Sequence, residues 1–148
     1  MKKLVGLIFL MVILVSATST VPSKSQQTPS LEGAWELISH YNYDGTDVTD
    51  TVLNTDGYRQ IKMYSNGKVM WTRYVPKDSM EWFGYGSYRT TDSSLMETLE
   101  YGSASMMRIV DTMRVFSFEL QLEEDNFSQI TLDEEGNRTF SENYKRIK

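Results

Sequence analysis

The sequence predicts an all-β domain: an eight-stranded antiparallel up-and-down β-barrel with no major helix. Three observations carry that prediction. From residue 31 onward, short alternating runs rich in Val, Ile, Thr and aromatic residues recur between turn residues, the signature of strands with one buried face. The links between those runs alternate long and short. The chain has no cysteine, so its stability must come from burying apolar and aromatic side chains rather than from disulfides.

The 148 residues suffice for one domain with a real core. Residues 1–17 read as a cleaved signal peptide. Lys2 and Lys3 form the positive region, residues 4–15 are almost unbroken apolar sequence, and Val15-Ser16-Ala17 supplies small residues for cleavage. That apolar run is shorter than the roughly 20 residues a spanning helix needs. The expectation is a secreted or periplasmic protein with no stable membrane span after cleavage, and without cysteine it cannot be a bacterial lipoprotein. Residues 18–30, rich in Ser, Thr, Gln and Pro, read as a disordered polar linker. The barrel domain is then 31–148. Losing Lys2 and Lys3 takes the net charge from −5 to −7, which argues against nucleic-acid partners and anionic membrane surfaces.

The eight expected strands cover 34–43, 58–64, 68–75, 83–90, 95–101, 114–122, 127–132 and 138–147. At most a single helical turn is expected, at 47–53 or 78–82. Ser65-Asn66-Gly67 is a hairpin signal, because glycine tolerates the positive φ that such turns require. A two-residue turn would set Met63 opposite Met70 and Lys62 opposite Trp71. A three-residue loop pairs Met63 with Val69 and Ile61 with Trp71, gathers apolar side chains on one face, and is the preferred register. The first, third and fifth links (44–57, 76–82, 102–113) are long, and the second, fourth and sixth (65–67, 91–94, 123–126) are short. In a meander the long links share one mouth, an alternation that a Greek-key sandwich would not naturally give.

Gly33-Ala34-Trp35 opens the first strand and Arg146 closes the last. This pairing resembles the lipocalin opening motif and the arginine that packs over its tryptophan. Arg59-Gln60-Ile61-Lys62, Trp71, Gly84-Tyr85-Gly86, Glu97-Thr98-Leu99-Glu100-Tyr101 and Glu142-Asn143-Tyr144-Lys145-Arg146 are similar to stretches of small secreted bacterial lipocalin-like domains of largely unassigned function. The resemblance covers residue 31 to the end. It implies that Gly33, Trp35 and Arg146 are structural, with Trp35 plugging the closed end. The chain departs from the transport lipocalins in having no disulfide and no evident helix between its last two strands.

Metal or haem chemistry needs imidazole, thiolate or clustered carboxylates. The only histidine, His40, is out of phase with Trp35, Leu37 and Tyr41 and is expected to face solvent. No metal, no cofactor and no catalytic residue is assigned. The acidic loop of Asp44, Asp47, Asp50 and Asp56 lacks a known calcium pattern and reads as solvated. By alternation Trp35, Leu37, Tyr41, Ile61, Met63, Val69, Trp71, Leu99, Tyr101, Phe116, Phe118, Leu120 and Tyr144 point inward. The same phase turns Arg59, Arg73, Glu97 and Glu142 inward. Buried charges must pair, sit wet near the mouth or meet a ligand.

The candidate ligand-binding set is therefore Arg59, Trp71, Arg73, Tyr85, Glu97, Tyr101, Glu142 and Tyr144. Arg59 and Arg73 would face a ligand anion, unless an internal Arg–Glu network satisfies itself. The leading expectation is an exported binder of a small apolar or amphipathic molecule, possible anions included. The alternatives are a protein-interaction or inhibitor module with a filled barrel and, further off, a small enzyme using Glu97 or Glu142 beside a tyrosine. A cavity under about 300 Å³ would fall below typical small-ligand sites and largely remove the carrier reading.

Overall fold

The computed structural model describes residues 28–148. The expected signal peptide and most of the expected linker lie outside the described residues. The described chain is all-β apart from one short helix. Its strands are β1 (Gly33–Gly45), β2 (Asp47–Leu53), β3 (Arg59–Ser65), β4 (Lys68–Tyr74), β5 (Trp82–Thr90), β6 (Ser94–Gly102), β7 (Val115–Leu122), β8 (Asn126–Leu132) and β9 (Arg138–Arg146), with helix α1 (Ala104–Val110) between β6 and β7. All nine strands belong to one antiparallel sheet in the order β2-β1-β3-β4-β5-β6-β7-β8-β9. Strand β1 also pairs with β9, which closes the sheet into a ring. The β2 hairpin, the 75–81 link and α1 gather at one end, here called the mouth. The 65–68, 90–94 and 122–126 turns close the other.

Two elements differ from the sequence expectation. Residues 47–53 form a strand rather than a helical turn. Val48, Thr49, Thr51 and Val52 favour extended backbone, but every residue of β2 is exposed, so no buried face announced it. The 102–113 link contains α1. The Ser103 hydroxyl accepts from the Met106 N–H at 3.3 Å as its N-cap, and Met106 and Val110, one turn apart, are its buried positions. Seven residues are too few for a helical period to stand out.

The β3–β4 register also differs. Asn66 and Gly67 have φ of 50° and 74°, the two positive values of a type I′ turn, whose twist matches the strands it joins. The hairpin is therefore the two-residue form, with Met63 opposite Met70 and Lys62 opposite Trp71. Every side chain of β3 changes face relative to the preferred expectation. Gln60, Lys62 and Tyr64 are buried inside, whereas Arg59, Ile61 and Met63 lie outside.

Two bulges reset the phase elsewhere. In β1 the β9 register steps between Leu37 and Ser39, so Ile38 is the extra residue and His40 comes to lie opposite Glu142. His40 thus shares the inner face, contrary to its expected solvent position, and Tyr41 moves off that face. In β6 Glu100 is the extra residue, because Tyr85 pairs with Tyr101 while Gly86 pairs with Leu99. Tyr101 is turned outward and is 54% exposed.

The interior has three layers. Leu31, Trp35, Leu37, Val69, Leu95, Leu120 and Phe127 fill the closed end with Tyr64 and Tyr144. A polar layer follows. At the mouth Trp71, Leu99, Met106 and Val110 pack with Trp82, Met107 and Phe116, so α1 caps part of the opening.

Candidate functional site

The closed end is a plug. Trp35 is fully buried, and the Arg146 guanidinium carbon lies 3.9 Å from its ring centroid, a cation–π stack. Arg146 donates from Nη1 to Glu32 O (2.6 Å), from Nη2 to Ser30 O (2.7 Å) and from Nε to Glu124 O (2.8 Å). The Trp35 indole donates to Leu31 O at 2.8 Å. Gly33 is required here. Its φ is +124°, and a Cβ would sit 2.7 Å from Arg146 Nη1. These contacts seal the interior at this end.

The chemistry lies in the middle layer. Lys62 Nζ donates to both oxygens of Glu97 (2.9 and 3.1 Å) and to Gln129 Oε1 (2.6 Å). The Lys62 and Glu97 side chains are each 4% exposed. Tyr64 donates to Glu97 as well. On the far side of Gln129, its amide donates to Glu142 Oε2 at 2.8 Å, beside the Tyr144 hydroxyl at 2.6 Å. Gln60 Nε2 donates to Tyr144 Oη at 2.6 Å and, more weakly, to both Glu142 oxygens. Gln60 Oε1 accepts from Tyr58 Oη (2.8 Å) and Arg73 Nε (2.7 Å). The result is one connected chain from Glu97 to Arg73, the arrangement that permits buried charge.

Burial holds several of these groups in their neutral forms. The Tyr64 and Tyr144 phenols are pushed well above the usual tyrosine range, chiefly by burial and then by Glu97 and Glu142 respectively. Both remain hydrogen-bond donors at any ordinary pH. His40 is half-buried and stacked on Phe140 at 5.2 Å. Burial lowers its pKa and the Arg73 charge lowers it further, against the opposing pull of Glu142.

Above this layer, toward the mouth, is a cavity of about 260 Å³. Its two walls differ in kind. Gln60, Lys62, Arg73, Glu97, Gln129 and Glu142 form the polar wall; Trp71, Trp82, Leu99, Met106, Ile109, Phe116 and Phe118 form the apolar one. Trp71 is held flat because Gly84 faces it across the β4–β5 pair; a Cβ on Gly84 would lie 2.8 Å from the indole. The ring loosens on the mouth side. Val115–Phe118 pair with β6, but the β7–β8 register begins only at Glu119.

Of the expected ligand-binding residues, Trp71, Arg73, Glu97 and Glu142 line this cavity together. Tyr144 lies behind the wall and holds Glu142. Arg59 is outside, paired with Glu36 at 2.7 Å, because the type I′ turn reversed its strand. Tyr85 and Tyr101 are outside too, with ring centroids 5.2 Å apart. Lys62, Gln60, Gln129 and His40 were missed. The Asn66-Gly67 dipeptide was the signal that could have found the first two. No group of three or more His, Cys, Asp or Glu side chains among the described residues could hold a metal ion. No helix among them is long and apolar enough to cross a membrane.

No protein-family model and no curated protein matches the chain. Its fold is similar to the crystal structure of an uncharacterized protein from Bacteroides eggerthii DSM 20697, with a TM-score of 0.53 and 16% sequence identity, covering 80% of this chain and 100% of that one.

Proposed function

We propose that this protein binds a compact, partly apolar small molecule in the mouth cavity, polar end down and flat or apolar end against Trp71 and Trp82. The observation that carries this reading is the two-walled lining, an apolar surface facing fixed and largely pre-satisfied polar groups, which is the composition of small-ligand sites. At about 260 Å³ the cavity is smaller than the roughly 300 Å³ at which such sites usually begin. Carriage of a bulky or long-chain cargo is therefore dropped. The ring is read as an up-and-down barrel of eight strands with β2 as a flap, and the Arg146–Trp35 stack supports its likeness to lipocalins. Export through residues 1–17 belongs to the same reading and would place the binding step outside the cytoplasm.

The test is a thermal-shift survey of compact aromatic and alicyclic compounds against the protein and its Ile109→Trp variant. Ile109 is 38% exposed on α1 and lines the cavity, so a larger side chain there fills space without breaking the core. Hits that stabilise the parent and lose their effect in the variant support the proposal. Hits indifferent to the substitution, or none, reject it.

A second reading has its own observation. Met63, Met70, Tyr85 and Tyr101 are cross-strand partners in one row on the outer face of β3–β6, and Met63, Met70 and Tyr101 are each about half exposed. Such a row suits a protein–protein contact and is compatible with an occupied or an empty cavity.

A further inference from the structure

Given the cavity-binding reading above, the hydrogen bonds already made within the polar wall narrow the ligand. Deep in the wall the charged groups are held by one another and by Gln129. Lys62 uses all three donors, Gln129 uses both ends of its amide, and both Glu97 oxygens accept. No buried atom of this layer lacks a partner; Asn54 Oδ1, in the 54–58 loop, is the one orphan among the described residues. Among the charged groups of the wall, spare capacity is concentrated at Arg73 and Glu142. Arg73 uses Nε on Gln60, but neither terminal nitrogen has a hydrogen-bond partner among the described residues, and Nη2 stands 3.6 Å from Glu142 Oε1. The two oxygens of Glu142 are unequal. Oε2 accepts from Gln129, Tyr144 and Gln60, whereas Oε1 accepts only a 3.2 Å contact from Gln60. A free donor and an under-used acceptor therefore stand side by side at the cavity wall.

The charge balance points the same way. The charges on the polar wall are Lys62 with Glu97 and Arg73 with Glu142, and they cancel in pairs. His40 is held toward its neutral form. A ligand carboxylate on Arg73 would set a second carboxylate against Glu142, an arrangement in which one of the two must give up its charge. A bare ammonium on Glu142 would face Arg73 with the same difficulty. A neutral group that accepts and donates through adjacent atoms meets neither problem.

We propose that the cavity selects a planar, uncharged ligand carrying a lactam-type edge, C=O beside N–H, with the carbonyl accepting from Arg73 and the N–H donating to Glu142. Trp82, whose ring lies 6.0 Å from the Arg73 guanidinium carbon, and Trp71 supply the surface for the flat body. The expectation from sequence of an anion held between Arg59 and Arg73 is thereby replaced. Arg59 is on the other face, and Arg73 already has its carboxylate.

The experiment compares three probes of similar size by NMR titration of the full chain: isoquinolin-1(2H)-one, its N-methyl derivative and cinnamate. The lactam should bind at least about tenfold more tightly than either comparator, since a buried carboxylate oxygen that loses water without gaining a donor disfavours an analogue lacking that donor. In Glu142→Gln the lactam should lose affinity and cinnamate should gain it, because Arg73 is released. Equal affinity for the lactam and its N-methyl derivative overturns the donor role, and tighter binding of cinnamate to the parent overturns the neutrality argument. In both cases cavity binding stands. If none of the three binds while the survey finds other cavity ligands, the lactam assignment alone falls. If nothing binds at all, both readings fall.

Discussion

Replacing Glu97 with leucine tests whether the interior holds a real ion pair. In the parent, Lys62 and Glu97 are each 4% exposed and joined at 2.9 Å. The substitution strips Lys62 of two of its three contacts and leaves the Tyr64 hydroxyl without its acceptor. Breaking a buried pair from one side costs about 3–5 kcal/mol, and an orphaned buried hydroxyl adds about 1–3 kcal/mol, partly offset by the new apolar contacts. A loss of roughly 4 kcal/mol is expected, a large share of the 5–15 kcal/mol typical of a domain. It corresponds to a fall in Tm of roughly 15 °C at this size. The Lys62→Met/Glu97→Leu double variant should recover most of that loss, because apolar replacement of a whole buried pair is often neutral or stabilising. Urea and thermal unfolding followed by circular dichroism measure all three proteins. A cost below about 1 kcal/mol for the single variant, or a double variant no better than it, would refute the buried pair and with it the register of β3.

Gly33→Ala should cost about 1–3 kcal/mol, since φ of +124° strains an L-residue and the new Cβ meets Arg146; unfolding midpoints check it, and an unchanged midpoint contradicts the plug. The lowered pKa of His40 means that the unfolded chain binds the proton more readily. Its contribution leaves stability unchanged above the ordinary histidine value, and stability falls as pH drops below about 6.5; His40→Gln should flatten that part of a stability–pH curve. Tyr64 and Tyr144 have raised values, so their contribution is intact below about pH 10 and is lost as pH rises beyond it. Two of the nine tyrosines should therefore ionise, by absorbance, only as the fold opens.

The ends of the ring were legible in the sequence, and its middle was not. Alternating link lengths separate the mouth from the closed end, and Gly33, Trp35 and Arg146 meet as a plug. The inner face failed where local geometry outweighs apolar counting. At Asn66-Gly67 the turn set the register and turned Lys62 inward, a placement tolerated because Glu97 and Gln129 surround it. Apolar pattern alone favoured Met63 and Ile61 inside, and both lie outside. Bulges at Ile38 and Glu100 then moved His40 in and Tyr101 out. A bulge inserts one residue without changing composition, so alternation cannot show it. Strand β2 was missed because it has no buried face, and α1 because it is short.

The three tryptophans allow the central claim to be tested in one spectrum, since Trp71 and Trp82 line the cavity while Trp35 is sealed beneath Arg146 at the opposite end. Titration of a compact ligand into the ¹⁵N-labelled protein should move the indole N–H signals of Trp71 and Trp82 and leave that of Trp35 in place. Movement of Trp35 alone, or of none of the three on saturation, would contradict a binding site in the mouth cavity.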